Sequence, residues 1–522
     1  MKADIPVDVA IVGYGPTGQL LALMLGRAGH RVTVVERWPD LYPLPRAVHY
    51  DHEIARLFQV SGVMDDIKRI VEPTERYQWR NANHDVLMDF NWSGTGPSGW
   101  PVSTMFAQPE LERVLDTHVR RLPNVTVRSG WSAAAVHEDA DGVRIDIEAG
   151  QLVNGKWTAS GDVDTVRARY VVGADGANSV VRQALGIAFE DLGFAFDWLV
   201  IDVKPTEPRE WVPKTWQLCD PARPTSIVPG GPGRRRWEFM LLPGETAEQM
   251  NQDSVAWDLL ARWDIAPHNA ILERHAVYTF RGRWAKDWRA GRVLLAGDAA
   301  HLMPPFAGQG MCSGLRDAAA LAWRLDGILS GTASERLLDS YGPERLNHVR
   351  EMIGFSIELG KVICITDPAA AAARDAAMLA AQAMPGFTPP ASPQPRLGAG
   401  LYDAQSPGSG WLTPQGVVEF EGRCDLFDDV FGAGFALIAR DQAALDALSR
   451  ENRDALDAQG VTVAHFGPGG FRDVNGVYAK YLTEHDALAV LVRPDFYSYG
   501  AARTAHELDA LVDAWRLAME PA

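Results

Sequence analysis

Val7-Asp8-Val9-Ala10-Ile11-Val12-Gly13-Tyr14-Gly15-Pro16-Thr17-Gly18 is the stretch whose reading decides the fold. A short apolar run ends in a G-x-G-x-x-G spacing. Leu20 to Leu25 continue as an apolar helical stretch that closes at Gly29, and Arg31 to Glu36 reads as a second, β-branched strand. Strand, glycine turn, helix and strand make one βαβ unit, with parallel strands and a right-handed crossover. The glycines allow a tight turn and bring backbone N–H groups against a pyrophosphate at the helix N-terminus, while Glu36 stands where a ribose is accepted. Gly13, Gly15, Pro16, Thr17, Gly18, Glu36 and Arg37 are therefore the expected dinucleotide-binding residues. An acid at the ribose position suits FAD or NAD and disfavours a 2′-phosphate.

Two more strands end in glycine and aspartate. Tyr170 to Val172 runs into Gly173-Ala174-Asp175-Gly176, and Arg292 to Ala296 runs into Gly297-Asp298. Ligands gather beyond the carboxyl ends of strands in an open α/β sheet, so the three loops are expected to meet. Alternating strand patterns at Val125–Val127, Val143–Ile147, Leu199–Val203, Thr215–Leu218 and Arg236–Leu242 predict an antiparallel sheet inserted as a second domain. Helices are predicted over Gly314–Leu329, onward to about Cys364, and over Ala369–Ala383. Five prolines between Pro385 and Pro395 mark a linker. Beyond it, strands at Phe435–Ala439 and Ala487–Val492 alternate with helices at Asp441–Gln459 and Ala505–Met519. The expected division is an α/β Rossmann-like dinucleotide domain (1–182 and 281–384, with elements near 75–108 shared with the inserted sheet), a β-sheet substrate domain (183–280), a linker (385–397) and a C-terminal α/β domain (398–522).

The 522 residues are 47% apolar and 22% charged, an ordinary globular composition, and the net charge of −17 argues against nucleic acid and anionic membrane partners. Asp8, Gln19 and Arg27 interrupt or flank the most apolar stretch, so no signal peptide or membrane span is expected. Four scattered cysteines without a C-x-x-C predict neither disulfide scaffold nor metal site, and a cytoplasmic setting.

The glycine fingerprint, the Gly173-to-Ser179 motif and Gly297-Asp298-Ala299-Ala300-His301-Leu302-Met303-Pro304-Pro305-Phe306-Ala307-Gly308-Gln309-Gly310 together resemble the single-component FAD aromatic hydroxylases of the para-hydroxybenzoate and phenol hydroxylase type. Among them, Pro45-Arg46-Ala47, Arg236-to-Met240 and Pro243-to-Thr246 look closest to 3-(3-hydroxyphenyl)propionate hydroxylases. Past Pro395 the chain is similar to phenol hydroxylase, whose C-terminal domain is thioredoxin-like without redox cysteines; Val492-Arg493-Pro494-Asp495 carries that likeness. The resemblance implies that FAD is held by Asp298, Asp175, Arg46 and Gln108, with Gly297, Pro305, Gly308, Gly310, Met311 and Cys312 around the flavin. A guanidinium fork suits phosphate, and an amide suits a polyol. Where the family often has asparagine, this chain has Cys312.

The resemblance further implies the reaction: NADH or NADPH reduces FAD, O2 is trapped as a C4a-hydroperoxide, and a phenolic ring attacks it in a dry site. Pro305 belongs to the rigid wall of that site. A single glycine fingerprint leaves no second nucleotide domain, so NAD(P)H is expected to visit transiently. Asp51 matches the position of an acid that phenol hydroxylase uses; it either serves as base or caps a helix beginning at His52, and His49 is the neighbouring candidate. His301 reads as structural. Trp216, Cys219, Arg223 and Phe239 are the candidate substrate wall, with an arginine available for a substrate carboxylate. Phenylpropanoid acids are favoured by resemblance; flavonoids, other polyphenols and resorcinol-type phenols stay open. A homodimer follows from related C-terminal domains. The alternative is a flavin-binding sensor or scaffold that does not hydroxylate, which only Cys312 invites.

Overall fold

A computed structural model describes residues 6–44, 46–153 and 156–521; Pro45 of the Pro45-Arg46-Ala47 motif lies outside them. The first βαβ unit forms as read. Val7–Val12 and Val32–Glu36 pair in parallel, joined by the Pro16–Arg27 helix with proline in its first turn. Val9, Ala10 and Ile11 are fully buried, as a strand covered on both faces requires. The parallel core continues with Val293–Leu295, the end of the long Lys156–Gly173 strand and Val125–Ser129.

Two predicted strands belong elsewhere than expected. Val125–Val127 extends the parallel sheet, because the Gln108–Arg120 helix precedes it as a crossover. Val143–Ile147 sits in Gly142–Val153, an antiparallel flap on the same sheet, paired with Trp131–Asp139 and Lys156–Gly173. A short alternating run reads alike in either setting, so periodicity alone did not place them.

The second sheet has eight strands, in the order His301–Leu302, Ala270–Ala285, Phe189–Pro205, Arg235–Met240, Thr225–Pro229, Thr215–Leu218, Arg76–Arg80, Val86–Asn91. Gly310–Leu329 and Tyr341–Ile363 are long helices; the first starts four residues earlier than its apolar pattern suggests.

The C-terminal domain holds a mixed sheet ordered Thr462–His465, Ala436–Ala439, Ala489–Val492, Ser498–Ala502. The helix expected over Asp441–Gln459 is two, Gln442–Asp446 and Arg450–Ala458, because Ser449 caps the second by accepting from Asn452 N–H at 3.2 Å. Arg493 and Asp495 of this domain interlock with Glu344 and Arg324 of the long helices; all four are buried. Cys424 is the one cysteine in the domain, and it is exposed.

Among the described residues, no helix is long and apolar enough to cross a membrane.

Candidate functional site

The three glycine-bearing loops meet. Gly13 adopts φ +102°, and a Cβ there would stand 2.3 Å from the Ala174 carbonyl oxygen, so two loops touch backbone to backbone. Gly18 lies behind this contact: its own Cβ would fall 2.1 Å from the Gly13 carbonyl, which makes it a helix–strand packing position outside the cavity. The cavity itself has a volume of about 1360 Å³ and is lined by Gly13, Gly15, Pro16, Thr17, Glu36, Arg37, Arg46, Gln108, Asp175, Gly297, Asp298, Pro305, Gly308, Gly310 and Met311. That exceeds the roughly 300–1,000 Å³ of ordinary small-ligand pockets.

Its nucleotide end fits FAD. The helices starting at Pro16 and Gly310 carry no side-chain cap, so their first N–H groups are left for an anion or a polar ring edge. Glu36 accepts backbone N–H groups of Tyr14 (2.7 Å) and Trp38 (2.9 Å), which orients the carboxylate and leaves lone pairs for a ribose. Arg46 lies over the Tyr42 ring, with Nη2 3.6 Å from Glu112. Gln108 Oε1 accepts from Ala47 N–H, and its Nε2 donates to Glu112, both at 2.6 Å. Asp298 opens onto the cavity without a hydrogen-bond partner among the described residues, and the protein surroundings of the cavity push its carboxyl upward despite His301 and Arg46. A polyol is what such a carboxyl lacks. Asp175 lines the cavity too, but it is engaged locally, accepting from Ser179 Oγ and the N–H groups of Val180 and Val181.

The next wall is the His49–Asp51 strand facing the Gly308–Gly310 turn. Asp51 Oδ1 accepts from the N–H groups of Glu53 and Ile54, both at 3.1 Å, and so caps the helix beginning at His52. Its Oδ2 takes Arg316 Nη2 at 2.6 Å and Gln309 Nε2 at 2.9 Å. Burial alone would raise Asp51, but Arg316, His52 and Gln309 outweigh it and hold the carboxyl far below the usual range. An oxygen pair so stabilised as the anion is a poor base. His49 differs. Burial lowers it against the pull of Asp51, keeping it neutral, and its Nδ1 meets the Gly308 carbonyl at 3.2 Å. A carbonyl only accepts, so Nδ1 carries the proton and Nε2 keeps a lone pair.

Cys312 does not reach the cavity. It is fully buried, its thiol directed at the carbonyls of His49 and Gly308, and burial raises it well above the ordinary thiol range. His301 pairs with Asp317 at 2.7 Å, a structural contact with a carboxylate.

The substrate wall predicted from aromatic residues is on the wrong face. Trp216 packs outward against Trp263 and His84, Phe239 is in the core on the same side, Arg223 is closed in a pair with Glu245 at 2.6 Å, and Cys219 is buried; none lines the cavity. Side chains alternate along a strand, so the neighbours one residue away face the site. They form two cross-strand rows. Tyr77, Thr215, Val228, Arg236 and Arg274 make one, and Trp79, Gln217, Ser226, Glu238 and Val200 make the other. Phe90, Trp92, Phe280 and Phe306 complete an aromatic chamber, with Trp92 stacked on Tyr77 at 5.0 Å. Burial raises Glu238, with Arg236 opposing at 3.7 Å, while Arg236 is itself paired with Asp202 at 2.7 Å. Strand parity was the signal available in the sequence, but which parity points inward depends on what lies above the sheet.

A family model described as an FAD binding domain matches residues 6–356, and one described as an HcaD C-terminal domain matches 410–518. The chain is similar to a "Probable NADH-specific resorcinol 4-hydroxylase" of Rhodococcus jostii (strain RHA1), 40% identical over 99% of this chain and 96% of that protein. It is also similar to a 3-(3-hydroxy-phenyl)propionate/3-hydroxycinnamic acid hydroxylase of Mycolicibacterium gilvum (strain PYR-GCK), 36% identical over 84% of this chain and 76% of that one. In fold it matches the flavin-dependent monooxygenase PieE, solved with FAD and substrate, with TM-score 0.78, 22% identity and 99% of both chains covered.

Proposed function

Since this chain belongs to the single-chain FAD-dependent aromatic hydroxylases, we propose that it hydroxylates a small neutral diphenol of the resorcinol type, with NADH as reductant. The ring gains one oxygen atom of O2; the other leaves as water, and NADH with one proton supplies the two electrons. Bound FAD supplies the electron relay and the oxygen activation. The observation that carries the substrate reading is the chamber itself: aromatic walls interrupted by Gln217, Ser226 and the carboxyl of Glu238, with the nearby Arg236 already paired to Asp202. Hydroxyl groups find acceptors and donors there. The full-length similarity to the resorcinol hydroxylase points the same way.

His49 is the base in this reading. A free phenol has a pKa near 10, far above a buried imidazole, but its hydroxyl grows acidic as the ring gives electrons to oxygen. His49 Nε2 then takes that proton, and the imidazolium so formed is steadied by the Asp51 carboxylate, which raises His49. Pro305 and Phe306 wall the chamber against water. Cys312, the one residue that invited a non-catalytic sensor, is sealed away from the cavity. The same reading takes the enzyme as a cytoplasmic homodimer formed through the C-terminal domain, which light scattering tests.

The deciding experiment follows NADH oxidation with resorcinol, 3-(3-hydroxyphenyl)propionate and no phenol, with mass analysis of products. Resorcinol should stimulate oxidation at least about tenfold more than the arylpropionate in kcat/KM and yield a product one oxygen heavier. Preference for the arylpropionate overturns the substrate assignment.

A further inference from the structure

The chamber wall is held from an unexpected place. Tyr497, in the C-terminal domain, follows the tight Arg493–Phe496 turn between the Ala489–Val492 and Ser498–Ala502 strands. This turn is wedged between the two long helices by Arg493 and Asp495, and Trp323 Nε1 donates to Asp495 at 3.0 Å. Tyr497 is buried and lines the cavity beside His348, 444 residues from its hydrogen-bond partner Glu53.

The hydrogen bonds form one chain. Tyr497 Oη donates to Glu53 Oε1 at 3.1 Å, and Glu53 Oε2 accepts Arg316 Nε at 2.6 Å. Arg316 spends its other nitrogens on Asp51 (2.6 Å) and on Gln309 Oε1 (2.9 Å), and Gln309 returns to Asp51 at 2.9 Å. Gln309 is flanked by Gly308, whose carbonyl fixes the His49 tautomer. Arg316 thus balances one of two buried carboxylates, and the phenolic hydroxyl is the donor that covers the excess negative charge on the other.

We propose that Tyr497 is a positioning residue for hydroxylation, supplied by the C-terminal domain, which through Glu53 and Arg316 holds Asp51, Gln309 and the His49 ring in register. The proposal rests on the reading of His49 as base. The charged groups facing His49 are Asp51 from its own strand and Arg316 from the Gly310–Leu329 helix; His52, which burial lowers, and Cys312, which burial raises, stand beside them, and Glu53 acts through Arg316. Loss of the hydroxyl leaves the Glu53 carboxylate without its donor and draws Arg316 toward it, so Asp51 acts more strongly on His49 and the imidazole holds its proton to higher pH. Replacing Glu53 by glutamine does the reverse.

The test uses full-length, FAD-loaded wild type, Tyr497→Phe, Tyr497→Ala and Glu53→Gln. It measures flavin content, Tm, the pH profile of kcat with resorcinol, and H2O2 released per NADH. Tyr497→Phe should keep its flavin and Tm, lose roughly tenfold in kcat with little change in KM, release more H2O2, and move the acid limb to higher pH. Glu53→Gln should move that limb to lower pH. Wild-type coupling and pH dependence in Tyr497→Phe, with only Tyr497→Ala impaired, would show that the ring merely packs and overturns the proposal. Shifts of the two variants in the same direction overturn it as well. The wild type tests the underlying reading separately: if it turns over another phenol, the same comparison is run with that phenol, and if it turns over none, both readings fall.

Discussion

The two ends of the cavity are built from different materials. At the nucleotide end the ligand-facing groups belong largely to the backbone: the Gly13 turn, the open helix starts at Pro16 and Gly310, and loops that touch main chain to main chain. At the aromatic end they are side chains taken from every second residue of a sheet, Thr215 and Gln217, Ser226 and Val228, Arg236 and Glu238. A site made of backbone needs particular residue types at fixed spacing and tolerates no Cβ. A site made of alternating side chains needs only the right face, and its chemistry changes without disturbing the fold.

Gly13→Ala breaks the comparison most directly. At φ +102° the added Cβ meets the Ala174 carbonyl, so FAD affinity should fall roughly a hundredfold or more, read as flavin absorbance per protein. Retention of full flavin would mean that the backbone does not define this end. Next, Arg316→Ala strips the common partner from two buried carboxylates and should cost about 3–5 kcal/mol of stability, seen as a marked drop in denaturation midpoint. His49→Asn should keep its flavin but lose about 10²–10³-fold in kcat together with the acid limb of the pH profile, because only the neutral ring accepts a proton. Parity gives a smaller, paired effect. Gln217→Leu should raise KM for resorcinol about tenfold, while Trp216→Phe, one residue away and facing outward, should leave KM within about twofold and lower Tm slightly. The smallest effect is on acid stability. Asp51 is depressed by Arg316 in the fold, so its contribution is present above its unfolded value near pH 4 and fades as pH falls toward its folded value. Asp51→Asn should therefore lose stability less steeply below pH 4 than the wild type.

The legibility of the protein follows the same division. Gly13, Gly15 and Glu36, and the Gly297-Asp298 turn, are readable because a tight turn and a helix start leave few residue types that fit. Val125–Val127 and Val143–Ile147 were misassigned because short alternating runs carry no record of their partner strands. Asp51 was read from the sequence with two roles left open; the structure shows it capping the helix, and the contact with Arg316, 265 residues away, shows why its carboxylate is stabilised. The resemblance placed Cys312 around the flavin, and its side chain is instead turned into the core.

By itself the sequence determined the parallel nucleotide-binding core, which rests on local backbone requirements written at short range, and through the resemblance of its motifs it gave the family, the cofactor and the C-terminal domain. Tertiary structure decided which face of the inserted sheet lines the cavity, which carboxylate is paired with Arg316, and that Tyr497 stands in the cavity wall. Those depend on partners hundreds of residues apart whose burial and charge exist only once the chain has folded.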